Sequence, residues 1–227
     1  MEGVGQFPKF LDQAYAIQEG LDSNTLGKRY LIPTAEAPVA NMHRGEILHE
    51  FDLPKRYCAY SPCFRAEAGA AGVATRGMIR VHQFDKVELI KVVKPENGYE
   101  ELEKMLQNAE KVLQSLGLHY RVITLSSGDM GFAAAKTYDI EVWAPGQGDY
   151  LEVSSVSNTE DFQSRRMKLR YKPDGGGPDF PHILNGSGVA LARLFVALLE
   201  TYQQVDGSVK IPKLLQPYLH TDVIPAP

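Results

Sequence analysis

The sequence predicts an α+β fold in which an antiparallel sheet is flanked by helices. Three observations predict it. Extended apolar runs come in locally joined pairs, so neighbouring strands are antiparallel. The order along the chain is hairpin, helix, hairpin, helix, without the strict alternation of a parallel α/β sheet. Neither G-x-x-x-x-G-K-[ST] nor a G-x-G-x-x-G after a strand occurs in the sequence, so a doubly wound nucleotide-binding sheet has no signature here. Any nucleotide would have to be held by arginines and metal. At 227 residues, 44% hydrophobic and 23% charged, the chain has ordinary globular composition and enough length for a sizeable core.

Residues 1–30 are turn-rich and lack a strong period. Thr34-Ala35-Glu36-Ala37 opens a predicted helix that runs to His49, with Pro38 in its first turns, where a missing N–H costs least. Lys55 to Glu67 is predicted as a strand, Ala68 to Met78 as a loop of small residues, and Ile79 to Val93 as the return strand. Residues 99–116 form the clearest helix. Leu102, Met105, Leu106, Ala109, Val112, Leu113 and Leu116 recur at helical spacing and Gly117 stops it. Its other side, with Glu101, Glu103, Lys104 and Lys111, is expected to face water.

A second hairpin joins Tyr138–Trp143 to Tyr150–Ser157 around Ala144-Pro145-Gly146-Gln147-Gly148. Asn158 or Thr159 is expected to cap a short helix through Phe162–Met167. Pro173, three consecutive glycines and Pro178 make 172–179 a loop. A short strand is expected at His182–Leu184. After it, a helix from about Gly188 to Gln204 is apolar nearly all round and is expected to be buried.

Composition excludes several classes. With 24 Lys and Arg against 28 Asp and Glu, the net charge is -4, which argues against a large nucleic-acid surface. No apolar run of about 18 residues occurs, so no membrane span or membrane partner is expected, and the first residues match neither a signal nor a transit peptide. Cys58 and Cys63 make neither a disulfide framework nor a zinc site. They read as two small apolar residues of a strand, and so few cysteines fit a reducing, cytoplasmic setting.

Three groups of residues could carry chemistry. Phe64-Arg65-Ala66-Glu67 faces the return strand Arg80-Val81-His82-Gln83-Phe84-Asp85-Lys86-Val87-Glu88. Arg65 and Glu67 are two apart and are expected on one face, as are Phe84 and Glu88. Such a face suits a charged planar ligand: arginine for phosphate, carboxylate for an amine, an aromatic for a base. It also suits a solvated hairpin laced by cross-strand ion pairs. The second group is Glu152-Val153-Ser154-Ser155, in which Glu152 is a hard ligand suited to Mg²⁺ and Ser155 could support it; taken alone, these residues read better as a polar strand end leading into the cap at Asn158. The third is Leu184-Asn185-Gly186-Ser187-Gly188 with Arg193, a charge amid Leu191, Leu194 and Phe195 that either meets an anion or snorkels to the helix rim. His82 reads as structural. The other histidines form no ligand pattern.

In this order the segments resemble the class II aminoacyl-tRNA synthetases and, within them, the seryl enzymes. Ile32-Pro33-Thr34-Ala35-Glu36 is similar to that family's serine-binding turn. Phe64-Arg65-Ala66-Glu67-Ala68-Gly69, Thr75-Arg76-Gly77 and His82 to Glu88 are similar to its motif 2, at about 55–93. Leu184-Asn185-Gly186-Ser187-Gly188, Arg193 and Glu200-Thr201-Tyr202-Gln203-Gln204 are similar to its motif 3, at about 182–204. The resemblance runs from about Gly3 to Tyr218 and places residues 1–227 in one catalytic domain, with a six- or seven-stranded antiparallel sheet. It implies ATP-dependent activation of L-serine and transfer to serine tRNA.

By that resemblance Arg65 and Arg193 are catalytic, meeting the α- and γ-phosphates. Ala66, Glu67, Val81, Phe84, Glu152, Val153, Ser154 and Ser155 complete the ATP site, with Glu67 on the adenine amine and Phe84 stacked on the ring. Glu152 and Ser155 hold Mg²⁺. Thr34, Ala35, Glu36, Arg65, Glu88, Asn185 and Ser187 surround serine. The family's N-terminal coiled coil and motif 1 have no counterpart in the sequence, so weak tRNA binding and an impaired homodimer are expected. Val73-Ala74 stands where the family often has a charged pair, and Ala192 where glycine often precedes the arginine. Two alternatives share the fold: a ligase that loads a carrier protein, and a non-catalytic paralogue that only binds.

Overall fold

The computed structural model describes residues 1–17, 29–68 and 77–227; the readings on Gly69, Val73-Ala74 and Thr75-Arg76 lie outside them. In chain order the elements are β1 (Ala16–Ile17), β2 (Arg29–Tyr30), α1 (Glu36–Ala40), β3 (Ile47–His49), β4 (Lys55–Phe64), β5 (Gln83–Val93), α2 (Gly98–Ser115), β6 (Tyr120–Thr124), β7 (Lys136–Ala144), β8 (Asp149–Asn158), α3 (Phe162–Met167), β9 (Arg170–Lys172), β10 (His182–Ala190), α4 (Leu191–Tyr202), β11 (Val209–Lys210), α5 (Gln216–Leu219) and β12 (Val223–Ile224). Six strands form the main sheet in the order β4-β5-β10-β8-β7-β6. Every pairing in it is antiparallel, as the local hairpins predict.

The two faces of this sheet are used differently. One is covered by α2 and α4. There Leu102, Met105 and Leu113 of α2 and Leu194 and Ala197 of α4 close over Val93, Ile140, Val142, Val156 and Leu184. Each such large apolar side chain contributes about 1.5–3 kcal/mol by leaving water. The other face is covered only at one end, where α1 and α3 residues Ala37, Ala40 and Met167 pack on Ile90, Val92 and Ile183. The remainder of that face is open, and it carries the candidate site.

The strand β10 is the hinge of the topology. It sits between β5 and β8, pairing Asn185 with Ile90 and Ser187 with Glu88 on one side and Gly186 with Val156 on the other. A Cβ at Gly186 would overlap the Val156 side chain, so the close approach of β10 and β8 requires glycine there. The strand expected only at His182–Leu184 therefore continues to Ala190, and α4 begins at Leu191 rather than Gly188. Partner strands on both sides hold 185–190 extended.

Other differences have equally local reasons. The helix expected over 34–49 ends at Ala40, followed by a 3-10 turn at Asn41–His43. Gly45, at φ +80, then turns the chain, and Ile47–His49 pair in parallel with Arg170–Lys172. Pro38 does sit in the first turn. β4 stops at Phe64 and β5 starts at Gln83, which shortens both strands of the expected hairpin. Asp161, not Asn158 or Thr159, is the N-cap of α3; Asn158 Oδ1 accepts the Glu160 N–H and the Thr159 hydroxyl donates to the Ile183 carbonyl. In α4 only Leu194 and Ala197 are buried, and Phe195 is 46% exposed, because the sheet covers one side of the helix only.

α2 spans almost the predicted residues, but Glu101 is not solvated. It is 4% exposed, bonded to Lys91 at 2.9 Å, Lys104 at 3.0 Å and Arg56 at 3.2 Å. Burial works to raise its pKa, yet the hydrogen bonds from Lys91, Lys104 and Arg56 hold it down at about 2. Among the described residues no helix is long and apolar enough to cross a membrane. Both cysteines are free and lie in β4, Cys63 buried and Cys58 exposed.

Candidate active site

The open face of the sheet is a continuous cleft of three communicating parts. The first is walled by Arg65, Glu67, Arg80, Val81, Phe84, Lys86, Glu152, Val153, Ser187 and Arg193. The second is walled by Glu36, Asn185, Ser157, Thr159 and Gln163. Between them, a third part shares Arg65, Glu67, Arg80, Glu152 and Arg193 with the first and Gln6, Phe10 and Gly131 with the second, and adds Thr34. The charged walls of the first part are four cations against two carboxylates, so that end suits a polyanion.

Arg65 and Glu67 reach the cleft by a different route from the one expected. They lie beyond the end of β4, and Glu67 has left-handed backbone at φ 51, so strand alternation does not align them. Tertiary bonds do. The Arg65 N–H donates to the His82 carbonyl and the Ala66 N–H to the Gln13 carbonyl. The Tyr15 hydroxyl lies 2.9 Å from His82 Nδ1, in keeping with a structural His82. The Arg65 guanidinium sits 5.1 Å from the centre of the Phe84 ring and donates from Nε to the Pro33 carbonyl at 3.3 Å. Glu67 is paired with Arg80 at 2.6 Å. Arg80 was not among the expected site residues, although its place in motif 2 was the available signal.

Arg193 is not a lone charge. Its Nη1 donates to the Glu152 carbonyl at 2.9 Å and lies 3.6 Å from the Glu152 carboxylate; Nε donates to the Ile79 carbonyl at 3.0 Å. Two hydrogen bonds and one ion pair, to Glu152 within β8 and to Ile79 in the segment before β5, hold the guanidinium against the first part.

The segment Glu152-Val153-Ser154-Ser155 owes its geometry to a bulge. The pairing skips one residue, with Glu141 opposite Glu152 but Ile140 opposite Ser154. In a regular strand residues 152 and 155 point to opposite faces; the extra residue brings both to the face of Asp139 and Glu141. Ser155 stands directly opposite Asp139 across the two strands. Burial is the main reason the Asp139 carboxyl titrates above its usual range, with Glu152 and Glu141 adding to it and Ser155 opposing. Val153 is buried in the helix-side core while also edging the cleft. Ser154 is a correction: it pairs with core residue Ile140 on the helix side, is 3% exposed, and its hydroxyl donates to the Ser187 carbonyl, so that it braces β8 against β10 and is not turned to the cleft. Ala66, likewise, does not wall any of the three parts.

Thr34, Glu88 and Lys86 form one buried cluster beside the first part, which Lys86 also walls. Lys86 pairs with Glu88. The Lys86 ammonium donates to Thr34 Oγ1 at 2.8 Å, and the Thr34 hydroxyl donates to Glu88 at 3.1 Å. Thr34 Oγ1 also accepts the Glu36 N–H at 3.1 Å, which fixes the start of α1 behind the buried Ala35. Lys86 was missed by the sequence reading, though it lies between Phe84 and Glu88 at strand spacing and so shares their face. Glu36 opens into the second part. Burial and the nearby Glu88 push its pKa up to about 7, against the Gln163 hydrogen bond, Lys86 and Arg65. Gln163 had no signal in the sequence.

Comparison with known proteins bears on the family and the fold. A model described as the tRNA synthetase class II core domain (G, H, P, S and T) matches residues 19–202. A serine–tRNA ligase of Akkermansia muciniphila is 60% identical over 224 residues, covering 99% of this chain and 51% of the relative. The chain thus spans about half the length of the curated relatives it matches. Among solved structures, seryl-tRNA synthetase from Pyrococcus horikoshii complexed with ATP superposes with a TM-score of 0.90 at 44% identity, over 99% of this chain and 49% of the other. The cytoplasmic serine–tRNA ligase of Naegleria fowleri in complex with AMP does so with a TM-score of 0.89 at 39% identity, over 99% and 52%. The resemblance read from motifs 2 and 3 therefore holds across the fold. With most of its length matched by that model, the chain belongs to the class II tRNA synthetase core-domain family.

Proposed function

We propose that the chain is the catalytic part of a serine–tRNA ligase, activating L-serine with ATP and, within the longer protein, passing the seryl group to serine tRNA. The observation that carries this is the division of one cleft into a cationic end beside an aromatic ring and an acidic, hydroxyl-bearing end. The likeness to a seryl-tRNA synthetase complexed with ATP supports it. The names of the relatives favour tRNA over a carrier protein as acceptor. Serine tRNA and a second protomer are, in this reading, the partners of the longer protein, in a cytoplasmic setting.

In the reaction, a carboxylate oxygen of serine bonds to the α-phosphorus of ATP. The bond from that phosphorus to the bridging oxygen of the β-phosphate breaks, and pyrophosphate leaves with the electron pair. A ribose hydroxyl of the tRNA end then attacks the seryl carbonyl, and AMP leaves. No protein nucleophile is needed, so catalysis is positioning and charge stabilisation. Arg65 bears on the α-phosphate and Arg193 on the γ-phosphate. Phe84 and Glu67 meet the adenine, and Val81 edges its pocket. Arg80 orders Glu67. Thr34, Ala35, Glu36, Glu88, Asn185 and Ser187 bound the serine end. A pocket built from polar groups rejects an analogue lacking the hydroxyl because its own groups would be left unpaired.

Mg²⁺ fits the donor set. Glu152, Ser155 and Asp139 are hard oxygen ligands on one face, and Asp139 Oδ1 is buried without a partner among the described residues. No cluster of three or more His, Cys, Asp or Glu able to hold a metal occurs among those residues, so the remaining ligands would be phosphate oxygens and water. When bound, the ion neutralises phosphate charge. Glu152→Gln, a poorer ligand, is expected to lower exchange at low magnesium and to recover in part at high magnesium; a deficit indifferent to magnesium counts against this role.

The test of the whole reading is serine-dependent ATP–pyrophosphate exchange. Exchange with serine and not with alanine is the expected result. Its absence with serine under saturating ATP and magnesium overturns the reading.

A further inference from the structure

The serine end of the cleft contains a side chain that no motif points to. Gln163 of α3 is fully buried and walls the same cavity as Glu36 and Asn185. Its Nε2 donates to Glu36 Oε1 at 2.7 Å and to the Val4 carbonyl at 3.3 Å. Its Oε1 is buried and has no partner among the described residues. Both amide hydrogens thus meet oxygens, and the reverse orientation would set a carbonyl against a carboxylate. A buried acceptor left open is costly, and it becomes satisfied if a ligand donor enters the cavity.

We propose that Gln163 is a positioning residue for the amino-acid substrate: it holds the Glu36 carboxylate oriented and ionised for the substrate ammonium, and offers its own Oε1 as a further acceptor to that end of the ligand. This rests on the reading of the cleft as a serine-activating site. The groups facing Glu36 are Glu88 and Lys86 from β5, Arg65 from the turn after β4, and Gln163 from α3. Burial and Glu88 drive Glu36 toward its protonated form, whereas the Gln163 N–H, Lys86 and Arg65 oppose that drive. Loss of the amide donor removes the largest of those opposing effects. Glu36 then keeps its proton to higher pH, and a neutral carboxyl is a poor partner for an ammonium group. The effect should fall on serine binding and on the acid side of the pH profile.

Gln163→Met keeps the volume and removes the donor. Gln163→Glu keeps the shape and is the second variant should the first fold poorly. Both are expected to raise the KM for serine in exchange about tenfold to a hundredfold near pH 7, with kcat at saturating serine changed far less. The acid limb of kcat/KM should move to higher pH. In a Glu36→Gln background Gln163→Glu, which keeps an Oε1 acceptor, should add little because the carboxylate it serves is gone, and Gln163→Met should add only the smaller loss of that acceptor. Carbon-13 NMR of the Glu36 carboxyl should show its titration moved upward in the Gln163 variants. An unmoved serine KM and acid limb, an equal loss in the Glu36→Gln background, or an unchanged Glu36 titration overturns the role of Gln163. Wild-type chain without serine-dependent exchange overturns the proposed function instead, and the NMR titration then decides by itself whether Gln163 controls this carboxyl.

Discussion

Arg65→Ala is expected to lower serine-dependent ATP–pyrophosphate exchange by about a hundredfold to a thousandfold, the usual cost of losing one preorganised donor to developing charge. The side chain is preorganised by contacts that have nothing to do with ligand: the Phe84 ring under its guanidinium and the Pro33 carbonyl at Nε. Its terminal nitrogens therefore stay directed at the cleft with little reorganisation. Arg65→Lys is expected to recover only part of the rate, since an ammonium offers a point charge without the planar fork. Thermal unfolding should move little, because Arg65 lies outside both hydrophobic clusters. Exchange within a few-fold of wild type at saturating ATP would remove Arg65 from the mechanism.

The second large effect is on stability. Glu101→Leu is expected to destabilise the fold by about 3–5 kcal/mol, because it strands the Lys91 ammonium in a buried setting. The Lys91 and Glu101 side chains are each 6% exposed, and Lys91 would retain only the Glu101 backbone carbonyl at 3.0 Å. Lys91→Met combined with Glu101→Leu should restore much of the loss, since an apolar pair of similar volume has no charge to desolvate. Urea unfolding measures both; a single variant within about 1 kcal/mol of wild type would show that water reaches Lys91. The pH dependence follows from the depressed pKa. Glu101 titrates near 2 in the fold against 4.5 ordinarily, so its stabilisation is complete above about pH 4.5 and is lost as pH falls toward 2.

The two variants probe what could and could not be read beforehand. Glu101 looked like one more charge on the wet side of an amphipathic helix, since helical periodicity sorts residues by angle and cannot show that β5 presents a lysine to that angle. The α4 helix misled in the opposite sense: its residues are apolar nearly all round, but only one side meets the sheet.

What the sequence by itself determined is the local chemistry and the family. The order of motifs, the antiparallel hairpins, the amphipathic helix over 99–116, and Arg65, Phe84, Glu152, Asn185 and Arg193 as residues that wall the cleft were all legible, because short-range periodicity and residue type carry that information. Only the tertiary structure decided how these pieces meet. β10 inserts between β5 and β8, so residues from 83–93, 149–158 and 182–190 become neighbours. A bulge turns Glu152 and Ser155 to one face and leaves Ser154 on the other. Left-handed backbone at Glu67, not strand alternation, brings it to Arg80. Lys86, Arg80 and Gln163 acquire their roles from partners 13 to 127 residues away. Such contacts depend on register and packing between distant segments, and an ion pair or a hydrogen bond a few ångströms long is satisfied or lost by a shift of a single residue.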